Sequence, residues 1–173
     1  MRILFDKHSR DRHELTVEWG PDRRESMSCE TRSYLLHDLL HYAVESQAGI
    51  EHGFWGSLAS GCSLAELAER AKAVAEVAKL DPAVVPPSAD ADLAMIEKVV
   101  GAMHGATKGI PAGELFAGMQ RYATASDRAW PAWLTLPFVE AVIEHMRKLR
   151  GRWAATPLGA SMVLDWPATD LTS

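Results

Sequence analysis

Hydrophobic and polar residues alternate in the first part of the chain, which is the spacing of a half-buried β-strand. Residues 3–7 and 14–19 show this spacing, and the polar segment 8–13 between them predicts a turn, so the two strands form a β-hairpin. Residues 25–29 continue the pattern as a candidate third strand. Late in the chain, residues 162–164 are apolar and predict a strand that joins the hairpin.

From residue 31 onwards the apolar positions recur at helical spacing, which predicts about five α-helices. The first begins near Thr31 or Ser33 and ends near Gly49. Ser63 and Glu66 have the spacing of a capping box at the start of the second. The other helices are predicted at 91–104, 112–124 and 137–151. Together these elements predict an α+β fold, mostly α-helical, in which an N-terminal β-hairpin joined by a C-terminal strand packs on about five helices.

The chain of 173 residues has the length of one ordinary domain. The prolines at 86–87 predict a stiff connector, which is not a domain boundary because the composition is the same on both sides. We therefore predict one domain over 1–173. It consists of a β-hairpin region at 1–30, a helical core at 31–151, a late strand within 152–167 and a frayed tail at 168–173.

Charge and composition exclude several classes of function. A net charge of -5 argues against nonspecific nucleic-acid binding, and the apolar runs are too short for a membrane span. An acid at Asp6 argues against a signal peptide, and two cysteines favour a reduced, cytoplasmic protein over a disulfide-stapled one. The expected partner is a small molecule of unknown identity, with no nucleic acid and no membrane; a homodimer is left open.

The candidate chemistry lies on the first predicted helix. At about 100° per residue, His37, Asp38, His41 and Glu45 share one face that spans about 100°, and the leucines of this helix lie on the other side. The polar face contains no lysine or arginine. Two histidines at positions i and i+4 can bind one divalent metal ion, and carboxylates suit the same ion or its water. The pattern therefore predicts a metal site.

Distances along a helix suggest which residues bind the ion. His37 and His41 are about 6 Å apart along the axis, and Asp38 is closer to their midpoint than Glu45. We therefore predict His37, Asp38 and His41 as metal ligands, with Glu45 either behind the ligands or as the catalytic proton-transfer base. The reverse assignment of Asp38 and Glu45 stays open. A further ligand is sought among Glu51, His52, His104 and His145.

The same ligand types suggest the ion and the reaction. A mixture of imidazole and carboxylate favours zinc, while iron, nickel and manganese accept similar ligands. A small cytoplasmic metalloprotein of hydrolase type, in which the metal activates water, is the first functional hypothesis. The alternative is a non-catalytic binding or structural module whose polar helix face binds a partner or is solvated. An aromatic pair at 54–55, between glycines, predicts a turn that folds back against the base of the helix.

Residues 37–45, together with Gly53 to Gly56, carry a resemblance to known proteins. The segment resembles an uncharacterised bacterial protein family with an HDxxHxxxE helix followed by GFWG. That family has no established activity, so the resemblance implies a bacterial protein and no particular reaction. The HDxxH part also resembles the metal motif of the ubiquinone-biosynthesis scaffold family. That family carries a glutamate where this chain has Gly53, and the nearest acid here is Glu51.

Overall fold

The computed structural model describes residues 1–80, 88–126 and 130–166. Within them the chain forms one antiparallel sheet in the order β3-β2-β1-β4. The strands are β1 (Arg2–Lys7), β2 (Arg12–Glu18), β3 (Arg24–Glu30) and β4 (Ser161–Asp165). The predicted hairpin, the third strand and the late strand are therefore confirmed, and the late strand pairs with β1 on the side opposite β2.

One face of the sheet forms part of the hydrophobic core. Alternate residues of a strand point to the same face, and the register places Phe5 between Leu15 of β2 and Met162 of β4. Ile3 lies likewise between Val17 and Leu164. All six side chains are buried, which is why the period-2 pattern was visible in the sequence.

Six α-helices lie in the described residues. They are α1 (Leu36–Ala48), α2 (Phe54–Ala59), α3 (Leu64–Leu80), α4 (Ser88–Met103), α5 (Ala112–Ser126) and α6 (Leu136–Ala155). A wide helical turn over Thr31–Leu35 leads into α1, and a tight turn over His104–Lys108 follows α4. The α+β, mostly helical fold is confirmed. The helix beyond the predicted five is α2, whose six residues are too few to show a periodic pattern.

The helix boundaries follow local signals in the sequence. Gly49 ends α1 in the left-handed conformation, with φ 64°. Ser63 and Glu66 form the predicted capping box, since the backbone N–H of each donates to the side chain of the other. The predicted connector at 86–87 and the tail at 168–173 lie outside the described residues.

The central helix of the structure is α1, which contacts α2, α4 and α6. Leu39, Leu40, Ala43 and Val44 are fully buried, as the helical pattern predicts. Most of the polar face is buried as well, because α2 and α4 pack against this helix; every residue from 38 to 45 is buried, and His37 is partly buried. No helix in the described ranges has the length and the apolar character needed to cross a membrane.

Candidate metal centre

Two helices bring three potential metal ligands together. His37 and His41 come from α1 and Glu97 from α4, and one ligand atom from each lies within 4.8 Å of the others. The two imidazole rings meet edge to face, with their centroids 4.6 Å apart. This group is close enough to bind one metal ion.

His41 is buried and held from one side. Its Nδ1 lies 3.0 Å from Oε1 of Glu45, where an N–H on Nδ1 donates to the carboxylate. Its Nε2 has no hydrogen-bond partner among the described residues and lies 3.5 Å from Oε1 of Glu97. A buried polar atom without a partner is costly, so we expect this nitrogen to share a proton with Glu97 or to bind a metal ion.

Glu45 is fully buried and accepts several N–H groups at once. Besides His41, its carboxylate accepts from the backbone N–H of Phe54 at 3.0 Å and of Trp55 at 2.9 Å. The backbone N–H of Gly56 lies 3.4 Å from the same carboxylate. Glu45 therefore connects α1 to the first turn of α2 and fixes the ring of His41. A carboxylate that holds a histidine in this way is the usual support of a metal-binding imidazole.

The segment that follows α1 is shaped around this carboxylate. A Cβ atom at Gly53 would collide with Oε2 of Glu45, so any other residue there would force this buried carboxylate to shift. Trp55 is fully buried, and its indole N–H donates to the backbone oxygen of Asp38 at 3.2 Å. The rings of Phe54 and His41 lie 5.6 Å apart. The predicted turn does fold back, and both aromatic side chains pack against α1.

The electrostatics of His41 and Glu97 are those of an ion pair in which His41 is buried and Glu97 is partly exposed. Burial alone would lower the pKa of His41, but the bond to Glu45 and the neighbouring Glu97 outweigh it and raise that pKa to about 9. Burial opposes the charge on Glu97, yet the adjacent His41 holds the pKa of Glu97 below its usual range. Without a metal ion, His41 is therefore an imidazolium between two carboxylates.

His37 differs from its neighbour. Burial lowers its pKa, and the positive charge on His41 lowers it further. The carboxylate of Glu97 opposes this shift, and His104 adds to it. His37 is consequently a neutral imidazole at pH 7, which is the form that binds metal ions.

Among the described residues, the other predicted residues are not members of this group. Asp38 is buried, and burial raises the pKa of its carboxyl to about 7, against the attraction of His41. Among the described residues, the group contains neither Asp38 nor Glu45. Asp38 as a ligand therefore stays a prediction. The remaining candidates also fall outside the group: Glu51, His52 and His104 are exposed, and His145 on α6 packs against Tyr42.

Glu97 is the potential ligand that the sequence pattern did not identify. It lies within a predicted helix, but its partners come from α1, far away in the chain. One signal was present. At about 100° per residue, Glu97 lies on the same side of α4 as Leu93 and Val100, which are fully buried. A carboxylate within an apolar helix face is unusual and indicates a buried partner.

Comparison of the chain with protein-family models, with curated proteins and with solved structures gives no match. The resemblance to the HDxxHxxxE family therefore stays a prediction.

Proposed function

We propose that this protein binds one divalent metal ion between α1 and α4, with His37, His41 and Glu97 as ligands. The observation that carries the proposal is the state of His41. Its Nδ1 is fixed by Glu45, while its buried Nε2 lacks a hydrogen bond and faces Glu97 at 3.5 Å. An ion at this point would satisfy the nitrogen and the carboxylate together.

Zinc is the ion that we propose. Two histidines and one glutamate are the ligands of many catalytic zinc sites, which keep a fourth position for water. The side chain of Glu97 is 33% exposed and His37 is partly buried, so a water molecule can reach the site from that side. Two histidines and a carboxylate also bind iron(II), so the metal content must be measured and not assumed.

An open position suggests hydrolase-type chemistry. A bound divalent ion lowers the pKa of its water towards neutrality and polarises an oxygen of the substrate. In this proposal Glu45 is a positioning residue, because its carboxylate is occupied by His41 and by backbone N–H groups of α2. Its predicted role as a proton-transfer base stays a prediction.

A second candidate function follows from the charges. His41 as an imidazolium between Glu45 and Glu97 is electrically satisfied without a metal ion. The group would then be a structural ion-pair cluster that fixes α1 against α2 and α4, in a non-catalytic module. Buried clusters of this kind do occur, and removing one member strongly destabilises the protein.

Metal analysis separates the two candidates. Protein purified without an affinity tag is stripped with a chelator and titrated with zinc, iron(II), nickel and manganese by calorimetry. We expect one ion per chain. His37→Ala, His41→Ala or Glu97→Gln should weaken binding by more than the roughly 10–100-fold that loss of an outer support costs. His52→Ala and Asp92→Asn change an exposed imidazole and an exposed carboxylate and should leave binding unchanged.

The catalytic part of the proposal has its own test. The zinc-loaded protein is assayed with 4-nitrophenyl acetate and bis(4-nitrophenyl) phosphate, beside Glu97→Gln at the same zinc concentration. Turnover that disappears in this variant supports a hydrolase-type centre. Stoichiometric binding without turnover would favour a binding module, and absence of micromolar binding for all four metals would favour the ion-pair cluster.

A further inference from the structure

A cavity of about 570 Å³ lies between α4, α5 and the turn that connects them. This volume falls within the range of small-molecule sites. The cavity is lined by neither the histidines nor Glu97 of the metal group. It is thus a concave feature that the proposed function does not use.

Glycines on the two facing helices, which have no side chain, leave the space for this cavity. Gly101 of α4 and Gly118 of α5 both line the cavity. A Cβ atom at Gly101 would meet no described atom within 4 Å, and at Gly118 the nearest is a guanidinium nitrogen of Arg121 at 3.9 Å. Close packing therefore does not require glycine at either position, although glycine destabilises a helix interior relative to alanine. What the two glycines provide is room between the helices.

The walls of the cavity are apolar and partly preformed. Met95 and Leu115 contribute aliphatic surface, and Trp130 forms one side. The indole N–H of Trp130 donates to the backbone oxygen of Met119 at 2.8 Å, so the polar edge of this ring is satisfied. The ring of Tyr122 lies 6.1 Å from that of Trp130. This part of the lining is therefore aromatic and aliphatic.

The charged side chains at the cavity favour an anion. Lys98 and Arg121 line it together with one acid, Glu114. Within the described ranges neither Lys98 nor Arg121 forms an ion pair with a carboxylate. Both cations are exposed and line the cavity, so they can meet an anionic group of a ligand. A carboxylate on the ligand would pair with them while its apolar part fills the cavity.

We propose that this cavity binds a small amphipathic acid, meaning an apolar chain or ring that carries one carboxylate. The inference does not depend on metal binding. The two sites are nevertheless neighbours, because Glu97 immediately precedes Lys98 and lies one helical turn before Gly101.

Calorimetric titration of the chelator-treated protein with decanoate is the direct test. We expect binding to one site, and an affinity that increases about fourfold for each methylene from hexanoate to decanoate, because each buried methylene adds a similar increment. Decyltrimethylammonium has a ten-carbon chain and the opposite charge. It should bind at least about tenfold more weakly than decanoate.

Two glycines of α5 provide a matched pair of variants. Gly118→Leu fills the cavity and should weaken decanoate binding by at least about tenfold. Gly113→Leu makes the same change outside the lining residues, at a position with no described atom within 4 Å of a Cβ, and should not change binding. The double variant Lys98→Gln with Arg121→Gln should weaken decanoate binding and leave binding of 1-decanol unchanged. Thermal melts of each variant verify that it is folded.

Several outcomes would overturn the proposal. Equal affinity for decanoate and decyltrimethylammonium would remove the argument from charge. Unchanged binding in a folded Gly118→Leu variant would place the ligand elsewhere. A second copy of the chain is the other occupant to consider. If sedimentation shows a dimer that Tyr122→Glu dissociates, and decanoate does not bind, the cavity is a subunit interface and not a ligand site.

Discussion

Replacing Glu45 by glutamine tests whether this carboxylate holds α1, α2 and His41 together. Oε1 accepts from His41 Nδ1 and Phe54 N at 3.0 Å each, and Oε2 accepts from Trp55 N at 2.9 Å. In Glu45→Gln one of these oxygens becomes an NH₂ group, which cannot accept. Whichever way the amide turns, at least one buried donor faces another donor.

The magnitude follows from these contacts. A hydrogen bond to a charged group contributes about 1.5–3 kcal/mol, and a buried donor left without a partner costs about 1–3 kcal/mol more. We therefore expect Glu45→Gln to lower the free energy of unfolding by about 3–5 kcal/mol. For a chain of this length that corresponds to a decrease of roughly 6–20 °C in melting temperature.

Urea denaturation and thermal melts of the metal-free protein measure this loss, and zinc titration measures the second effect. Metal affinity should decrease by about 10–100-fold, because His41 loses the group that fixes its ring. Glu51→Gln is the control, since this neighbouring side chain is exposed. If Glu45→Gln melts at the wild-type temperature, the hydrogen bonds described here do not stabilise the fold and the positioning role is refuted.

Three other predictions concern the core. Burial, together with the charge of His8, lowers the pKa of His13 to about 4. The stability that the fold gains because this imidazole is neutral is complete above about pH 6.5 and is lost as the pH falls towards 4. Over this pH range the free energy of unfolding of His13→Phe should fall by about 3 kcal/mol less than that of the wild type, which gives a flatter plot of unfolding free energy against pH. Parallel plots for the two proteins would contradict this. Gly53→Ala should destabilise by about 1–3 kcal/mol in urea, because its Cβ collides with Glu45, whereas Gly151→Ala on α6 has open space and should not. Leu40→Ala should cost about 2–5 kcal/mol by differential scanning calorimetry, since Leu40 is fully buried; a melting temperature as high as that of Leu158→Ala, a change at an exposed site, would disprove the packing of α1.

Local periodicity explains how much of the fold was predictable. The strands of the hairpin and the late strand alternate in burial, and that alternation is written in the sequence. The boundary of α1 at Gly49 is likewise a local signal. By contrast, α2 has no periodic pattern of its own, because it is held by the carboxylate of Glu45 and by the packing of Trp55.

The candidate site, too, was predictable only where it depends on local sequence. The proximity of His37 and His41 is a property of any helix and could be predicted from their spacing. The local pattern of α4 indicates that Glu97 has a buried partner, but that this partner lies on α1 depends on how the two helices pack. The burial of Glu45 also depends on tertiary structure, since it is produced by the chain returning over the helix at Gly53.

The origin of the three potential ligands on two separate helices makes the candidate site conditional on tertiary structure. Alone, α1 supplies two imidazoles, and the carboxylate arrives only when α4 is docked, about 55 residues later in the chain. A bound ion would therefore hold α4 against α1. It would stabilise the docked arrangement by mass action, and any local opening that separates α4 from α1 would release it. The dissociation rate of the ion would then report how often these two helices part, and amide hydrogen exchange in α4 would slow as the ion concentration rises.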